Sequence, residues 1–178
     1  MGFLQKLFCK NPDRKYLLSK GMRMGENCQI YSWTTIDHTY PHLIELGDNV
    51  MISTNVTILV HDASCNVVGG GTKVGKVTIG NNVFVGTGSI ILCNVTIGDN
   101  VVIGAGSLVN RDLPENGVYV GRPARRLCSI EEYRQKIMTL RQERPDLSQL
   151  RPWDQWGNAS DEDRQKMRQL LSDGCGFF

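Results

Sequence analysis

The feature of this sequence that most restricts its fold is an aliphatic residue that returns at every sixth position. Between residues 79 and 109 the sixth positions are all isoleucine or valine: Ile79, Val85, Ile91, Ile97, Ile103 and Val109. The positions two residues earlier are all small or β-branched: Val77, Val83, Ser89, Val95, Val101 and Ser107. An upstream block repeats the spacing at Leu46, Ile52 and Ile58. A period of six matches neither the 3.6-residue repeat of an α-helix nor the two-residue repeat of a lone strand.

Six residues are enough for one short strand and one corner. The two apolar residues at positions i−2 and i point to the same side of a strand, which becomes the interior. Residues such as Gly80-Asn81-Asn82 and Gly98-Asp99-Asn100 tolerate positive φ and suit a corner. Three such sides close a triangular coil of about 18 residues. We therefore predict a mainly β protein built as a parallel β-helix, and we reject a sandwich in which this spacing arises by chance.

The upstream and downstream blocks are out of register, which predicts that the chain leaves the coil between them. Ile58 and Ile79 are 21 residues apart, and division by six leaves three. We predict a protruding loop at about residues 60–73, because this segment is polar and rich in glycine. A second break at residues 38–42 precedes Ile44. Loops that leave a rigid scaffold are common places for function.

The flanks of the coil predict helices. We expect an N-terminal helical cap at residues 1–24, the β-helix at residues 25–128 and a C-terminal helical extension at residues 129–178. Capping-box spacing at Ser129–Glu132 predicts a helix to about residue 143, and a second is expected at residues 160–172. Trp153 and Trp156 between them are expected to pack and anchor the chain rather than to bind sugar.

Composition and charge limit the partners and the cellular compartment that are expected. The net charge is only +2 and the basic residues form no run, which does not favour nucleic acid as a partner. The apolar stretch at residues 1–8 is too short for a signal peptide or a membrane span, so we expect no stable membrane insertion. None of the six cysteines lies in a CxxC pair. We therefore expect a cytoplasmic protein with reduced thiols and no metal.

Among the three histidines, His61 is the candidate for chemistry. It lies where the repeat register breaks, at the mouth of the predicted loop. An imidazole can exchange protons near neutral pH, so His61 could take a proton from an attacking hydroxyl. A packed polar histidine is the alternative.

Four segments together carry a family resemblance. Residues 56–62 (VTILVHD), 79–86 (IGNNVFVG), 97–107 (IGDNVVIGAGS) and 121–125 (GRPAR) resemble the hexapeptide-repeat acyltransferases. Within this family the chain is most similar to the maltose, galactoside and capsular-polysaccharide O-acetyltransferases, over about residues 25–130. The resemblance implies a left-handed coil, a homotrimer with active sites between subunits, and acetyl-CoA as the acyl donor.

The same resemblance implies roles for individual residues. His61 would be the general base in a direct transfer to the acceptor. Tyr31 stands near the position where sugar-acetylating members carry an asparagine, so Asp37 and His38 are expected to contact the acceptor instead. The residues expected along the coenzyme are Gly86, Thr87, Ala105, Asn110, Arg111 and Arg125.

Three rival functions are compatible with a coil of this kind. The γ-class carbonic anhydrases share the coil but carry a G-H-x₄-H segment, and this chain has Thr87 and Leu92 where those histidines should be, so zinc is not expected. Serine acetyltransferases usually carry a long N-terminal helical domain. A non-enzymatic scaffold would not need the intact His61 loop. The acceptor stays open among sugars, polysaccharide precursors, amino acids and xenobiotics, and the resemblance favours O-transfer over N-transfer.

Overall fold

The computed structural model describes residues 14–150 and 152–178, and within them the chain forms three α-helices and sixteen short strands. The helices are α1 (Arg14–Ser19), α2 (Ile130–Glu143) and α3 (Asp161–Leu170). The strands β1 to β16 are, in chain order, Arg23–Met24, Gln29–Ile30, Thr35–Ile36, Ile44–Leu46, Met51–Ile52, Thr57–Ile58, His61–Asp62, Lys73–Val74, Val77–Ile79, Phe84–Val85, Ile90–Ile91, Val95–Ile97, Val101–Ile103, Leu108–Val109, Gly117–Val120 and Arg125–Ser129.

Three parallel sheets form the three sides of a triangular prism. The first sheet has the order β1-β4-β9-β12, the second β16-β15-β13-β10-β5-β2 and the third β14-β11-β6-β3. Strands within each side pair in parallel register, except that β16 returns antiparallel to β15 at the end of the second sheet. The predicted left-handed parallel β-helix is confirmed.

The interior of the prism is the predicted set of aliphatic residues. Ile52 and Val85 on the second side, and Ile58 and Ile91 on the third, are completely buried. The paired registers place each of them on its equivalent one coil away. Burying a side chain of this size contributes roughly 1.5–3 kcal/mol. Stacking along the prism axis therefore holds the coils together.

One corner of the prism is a ladder of asparagines in the left-handed backbone conformation. The φ angles of its members lie between 54° and 56°. Each side-chain Nδ2 donates to the Oδ1 of the next member at 2.9–3.3 Å. The members are Asn27, Asn49, Asn82, Asn100 and Asn116. The corner thus selects asparagine because that residue combines tolerance of positive φ with a side chain that can bridge coils.

The two register breaks are insertions that leave the coil intact. Stacked corner residues are 18 positions apart in the regular coils, as Asn81 and Asp99 are, but 33 apart between Asp48 and Asn81. Across the second break Glu26 and Asp48 are 22 apart. The extra residues leave the prism at a corner, so the inward aliphatic columns continue past them.

The larger insertion runs from His61 to Val74, compared with the predicted 60–73. Strands β7 and β8 pair antiparallel at its base, and a 3₁₀ helix at Ala63–Val68 forms its outer part. The Asp62 side chain accepts a hydrogen bond from the Ser64 N–H at 2.9 Å and so caps this helix. The smaller insertion contains a 3₁₀ turn at Pro41–Leu43.

At the N-terminal side the coil begins with β1 at Arg23, two residues before the predicted start. Leu17 of α1 is fully buried in the same core. The predicted cap also includes residues 1–13, which lie outside the described residues.

Residues 131–178 form a second compact unit. The predicted helices are present as α2 and α3, and Ser160 caps α3 in a capping box with Asp163. Trp156 packs edge-on against Phe178, with ring centroids 6.2 Å apart, whereas Trp153 is 69% exposed. The prediction that both tryptophans pack is therefore wrong for Trp153. Of the described helices, none combines the length and apolar character needed to cross a bilayer.

The asparagine ladder generates a stability prediction. We expect Asn82→Ala to lower the free energy of unfolding by about 1–2 kcal/mol, because alanine disfavours the 55° φ angle and removes two ladder hydrogen bonds. Asn82→Gly is the matched control, since it loses the same hydrogen bonds but accepts the backbone angle. Urea denaturation of the two variants measures the difference, and an alanine variant as stable as the glycine variant would contradict this explanation.

Candidate active site

His61 lies at the corner between the third and first sides of the prism, where the larger insertion leaves the coil. The preceding residue Val60 is fully buried, which anchors the chain just before His61. The His61 side chain is 34% exposed. The imidazole is therefore held by the core on one side and open to a ligand on the other.

Asp37 contacts His61 directly. Asp37 follows β3 and His61 lies just beyond β6, and these strands pair in register on the third side, so one turn of the coil brings together residues 24 positions apart. The Asp37 Oδ2 lies 2.5 Å from the His61 Nδ1. Sequence reasoning predicted both residues as functional but did not predict this contact.

The Asp37 carboxylate is enclosed and fully engaged. Its side chain is 2% exposed. Oδ1 accepts a hydrogen bond from the Thr39 N–H at 2.9 Å, and Oδ2 accepts a second from the Val60 N–H at 3.1 Å. Burial by itself raises the pKa of Asp37, but these backbone hydrogen bonds and the His61 contact lower it by more, so its pKa lies below the ordinary value of 3.8. Asp37 is therefore ionised at neutral pH.

An ionised Asp37 determines what His61 can do. A carboxylate accepts hydrogen bonds but cannot donate one, so the His61 Nδ1 carries the proton in this contact. The lone pair of neutral His61 then lies on Nε2. The Asp37 carboxylate stays in contact with the Nδ1 side of the ring, opposite the open Nε2. The pair has the arrangement of a general base with an orienting carboxylate.

Tyr40 is a member of this site that sequence reasoning missed. Its ring stands edge-on to the His61 ring, with centroids 5.9 Å apart and planes at 81°, and edge-on to His42 at 6.3 Å. Tyr40 belongs to the smaller insertion, which lies at the same corner as His61 but one coil earlier. The available signal was the second register break, since two insertions at one corner must lie side by side.

The two residues predicted to contact the acceptor, Asp37 and His38, lie in different surroundings. The Asp37 side chain is buried against His61, so the structure does not offer it to an acceptor. His38 is exposed, and its ring lies 5.9 Å from that of Tyr16 in α1. The role of His38 stays a prediction, whereas Asp37 has a position suited to orienting His61.

Three of the expected coenzyme residues stack at another corner, between the second and third sides. Thr87 and Ala105 follow equivalent strands, β10 and β13, and the Gly106 N–H donates to the Thr87 carbonyl oxygen at 2.8 Å. The Thr87 Oγ1 lies 2.8 Å from the Ser53 Oγ. A Cβ on Gly86 would lie 2.5 Å from the Ala105 nitrogen, so this position requires glycine for close stacking of the coils.

Asn110 and Arg111 lie at the corner of His61, further along the prism axis. Both are exposed, and they follow β14 of the third side as His61 follows β6. Five of the six expected coenzyme residues are thus divided between the two corners that flank the third side, and Arg125 lies on β16.

The arginines of the GRPAR segment differ in direction. The Arg125 guanidinium donates to the adjacent Ala124 carbonyl oxygen at 3.0 Å, whereas the Arg122 Nε donates to the Gly106 carbonyl oxygen at 2.6 Å. Arg122 therefore reaches the corner of Thr87 and Ala105, and sequence reasoning missed it although it lies in the quoted motif. Within the described ranges, no cluster of three or more His, Cys, Asp or Glu side chains is arranged to hold a metal.

Comparison with known proteins places the chain in a family. A family model of the bacterial transferase hexapeptide (six repeats) matches residues 76–111. Protein CapG of Staphylococcus aureus is 37% identical over 141 residues, which span 75% of this chain and 80% of CapG. The galactoside O-acetyltransferase of Escherichia coli K12 is 43% identical over 125 residues, covering 68% of this chain and 60% of that protein.

A solved structure agrees with these relatives. The hexapeptide-repeat acetyltransferase of Vibrio cholerae O1 biovar eltor, determined in complex with acetyl-CoA, superposes with a TM-score of 0.58 and 28% identity. The match covers 62% of this chain and 61% of that one. The repeat, the fold and these relatives together show that the chain belongs to the hexapeptide-repeat acyltransferases.

Proposed function

We propose that this protein transfers the acetyl group of acetyl-CoA to a hydroxyl of a sugar or polysaccharide precursor, with His61 as the general base. The observation that carries the proposal is the His61–Asp37 contact, because it leaves the His61 Nε2 free to take a proton. The E. coli relative is named as a galactoside O-acetyltransferase, which supports a sugar hydroxyl as acceptor. The acetyl-CoA complex of the V. cholerae acetyltransferase supports the donor.

The proposed reaction is a direct transfer. The His61 Nε2 takes the proton of the acceptor hydroxyl while the hydroxyl oxygen forms a bond to the thioester carbonyl carbon. The carbon–sulfur bond then breaks, and the imidazolium returns the proton to the departing thiolate. Asp37 lowers the energy of the imidazolium between these two proton transfers. General-base catalysis of this kind contributes about 10²–10⁴-fold to a rate, and the positioning of the two substrates contributes further.

The two corners that flank the third side suggest how the substrates are held. Thr87, Ala105 and Arg122 lie at one corner, and His61 with Arg111 lies at the other. In the proposed homotrimer the Thr87 corner of one copy faces the His61 corner of its neighbour. The cleft between these two corners holds the pantetheine arm. Exposed guanidinium groups of Arg111, Arg122 and Arg125 would attract the coenzyme phosphates. We place this reaction in the cytoplasm.

The first test is His61→Ala. We expect kcat to fall by about 10²–10⁴-fold with little change in the Kd for CoA, because the variant loses proton transfer but no coenzyme contact. Thiol release from acetyl-CoA with a panel of methyl glycosides measures turnover, and calorimetry measures CoA binding.

His42→Ala is the matched control, since this histidine is exposed and touches Tyr40 rather than Asp37. It should keep nearly full activity. Near-normal turnover in His61→Ala would remove His61 from the mechanism, and a wild-type protein that binds no CoA would remove the acyl-transfer proposal.

The second test is Asp37→Asn, which preserves shape but removes charge. We expect kcat to fall at least about tenfold with an unchanged KM for acetyl-CoA, because the neutral amide no longer stabilises the imidazolium. The free energy of unfolding at neutral pH should fall by about 1–3 kcal/mol, since hydrogen bonds to a buried carboxylate are lost.

The stability difference between wild type and Asp37→Asn should depend on pH. The pKa of Asp37 is lower in the folded state than its ordinary value of 3.8, so the folded protein binds this proton less readily than the unfolded chain. The stabilisation is therefore fully present above about pH 5 and is lost as the pH falls below about 4. Urea denaturation at several pH values tests this, and a constant difference down to pH 3 would contradict the assignment.

A further inference from the structure

Trp33 has a backbone conformation that its side chain disfavours. Its φ angle is 65°, in the left-handed region. The equivalent positions in the next three coils are Asn55, Gly88 and Gly106, with φ angles of 57°, 70° and 68°. Asparagine and glycine enter this region readily, but a bulky residue there is a genuine outlier. Asparagine or glycine, the residue types at the equivalent positions, would relieve this strain.

Packing within one subunit does not explain the tryptophan. Its side chain is 50% exposed. The neighbouring Thr34 points into the prism instead, is 3% exposed, and donates its Oγ1 to the Ser53 carbonyl oxygen at 2.9 Å. The interior of this corner is therefore complete without Trp33. Strain that the core does not require is a feature typical of functional positions.

The surroundings of Trp33 are suited to a polyhydroxylated ring. Along the same corner in the following coils, the Thr87 Oγ1 lies 2.8 Å from the Ser53 Oγ and 3.3 Å from the Thr54 Oγ1. Two residues before Trp33, the 40%-exposed Tyr31 donates its hydroxyl hydrogen bond to the Gln29 Oε1 at 2.9 Å. A half-exposed tryptophan is thus followed along the corner by the hydroxyls of Ser53, Thr54 and Thr87.

We propose that Trp33 is a specificity-determining residue on which the pyranose ring of the acceptor stacks; this rests on the acetyl transfer proposed above. A pyranose presents C–H groups on its faces and hydroxyls at its rim, so it matches an aromatic plane beside hydrogen-bonding side chains. Trp33 and Thr87 share the corner that, in the proposed trimer, faces His61 of the neighbouring copy. The sugar would stack at one end of the cleft while the thioester lies along Thr87.

Substitution of Trp33 should change stability and acceptor binding in opposite directions. In Trp33→Asn the residue matches Asn55, so relief of the backbone strain should raise the Tm by about 2–4 °C. The same variant should raise the KM for methyl β-galactopyranoside about tenfold, because the stacking surface is lost, while the KM for acetyl-CoA stays unchanged. Trp33→Phe, the matched control, keeps an aromatic plane and the backbone strain, so it should retain most of the sugar affinity and the wild-type Tm.

The experiment compares thiol release with methyl β-galactopyranoside, methyl α-glucopyranoside and the open-chain alcohol glycerol. Saturation-transfer NMR of the two glycosides with wild type and Trp33→Asn measures binding without turnover. A Tm that falls in Trp33→Asn while sugar binding and both KM values stay at wild-type levels assigns Trp33 a structural role and overturns the proposal. Equal use of glycerol and the glycosides by the wild type, or equal glycoside signals for wild type and Trp33→Asn, also overturns it.

Different measurements would overturn the role proposed for His61 and the role proposed for Trp33. If His61→Ala abolishes turnover but Trp33→Asn leaves the sugar KM unchanged, only the assignment of Trp33 fails. If turnover is independent of His61 but the glycoside signal still weakens in Trp33→Asn, the general-base mechanism fails and the stacking surface stands.

Discussion

Everything in this protein depends on the stacking of aliphatic side chains one coil apart inside the prism. Ile58 lies on Ile91 and Ile52 on Val85, and all four are fully removed from solvent. Because the coils are joined by this stacking along the axis, each corner position recurs as a column that runs along the axis. A functional side chain therefore has its neighbours in the coils before and after it rather than in adjacent sequence.

The site exists because the coil tolerates insertions only at its corners. An insertion on a flat side would break a parallel sheet and expose the aliphatic column, whereas one at a corner leaves both intact. The two insertions leave at the corner between the third and first sides, in successive coils. This places Tyr40 beside His61. It also places His61 just beyond the end of a rigid strand, where its imidazole contacts Asp37 and is partly exposed. A scaffold with a dense core thereby holds the imidazole of His61 in a defined orientation.

Two features of the site carry an energetic cost, desolvation at Asp37 and backbone strain at Trp33, and both are consistent with function. Asp37 is a buried charge, and its desolvation cost is offset by the backbone N–H groups of Thr39 and Val60 and by His61. Trp33 has a backbone angle that its equivalents reach with asparagine or glycine. Asp37 is enclosed by three donors, and Trp33 is open to solvent. The first arrangement is suited to holding another protein side chain, and the second to receiving a ligand.

The sequence by itself determined the repeat, the parallel coil and the place of the larger insertion, and it singled out His61 as the candidate for chemistry. The fold and the insertion follow from residue spacing. A six-residue aliphatic period fits a triangular coil, and the 21 residues from Ile58 to Ile79, which are not a multiple of six, mark a departure from the coil. Only the tertiary structure decided that the buried Asp37 contacts His61, that Tyr40 lies against the imidazole, and that Arg122 reaches the corner of Ala105. The physical reason is that period counting gives the column of a residue but not the direction of its side chain, which depends on local φ angles and on the hydrogen bonds available at each corner.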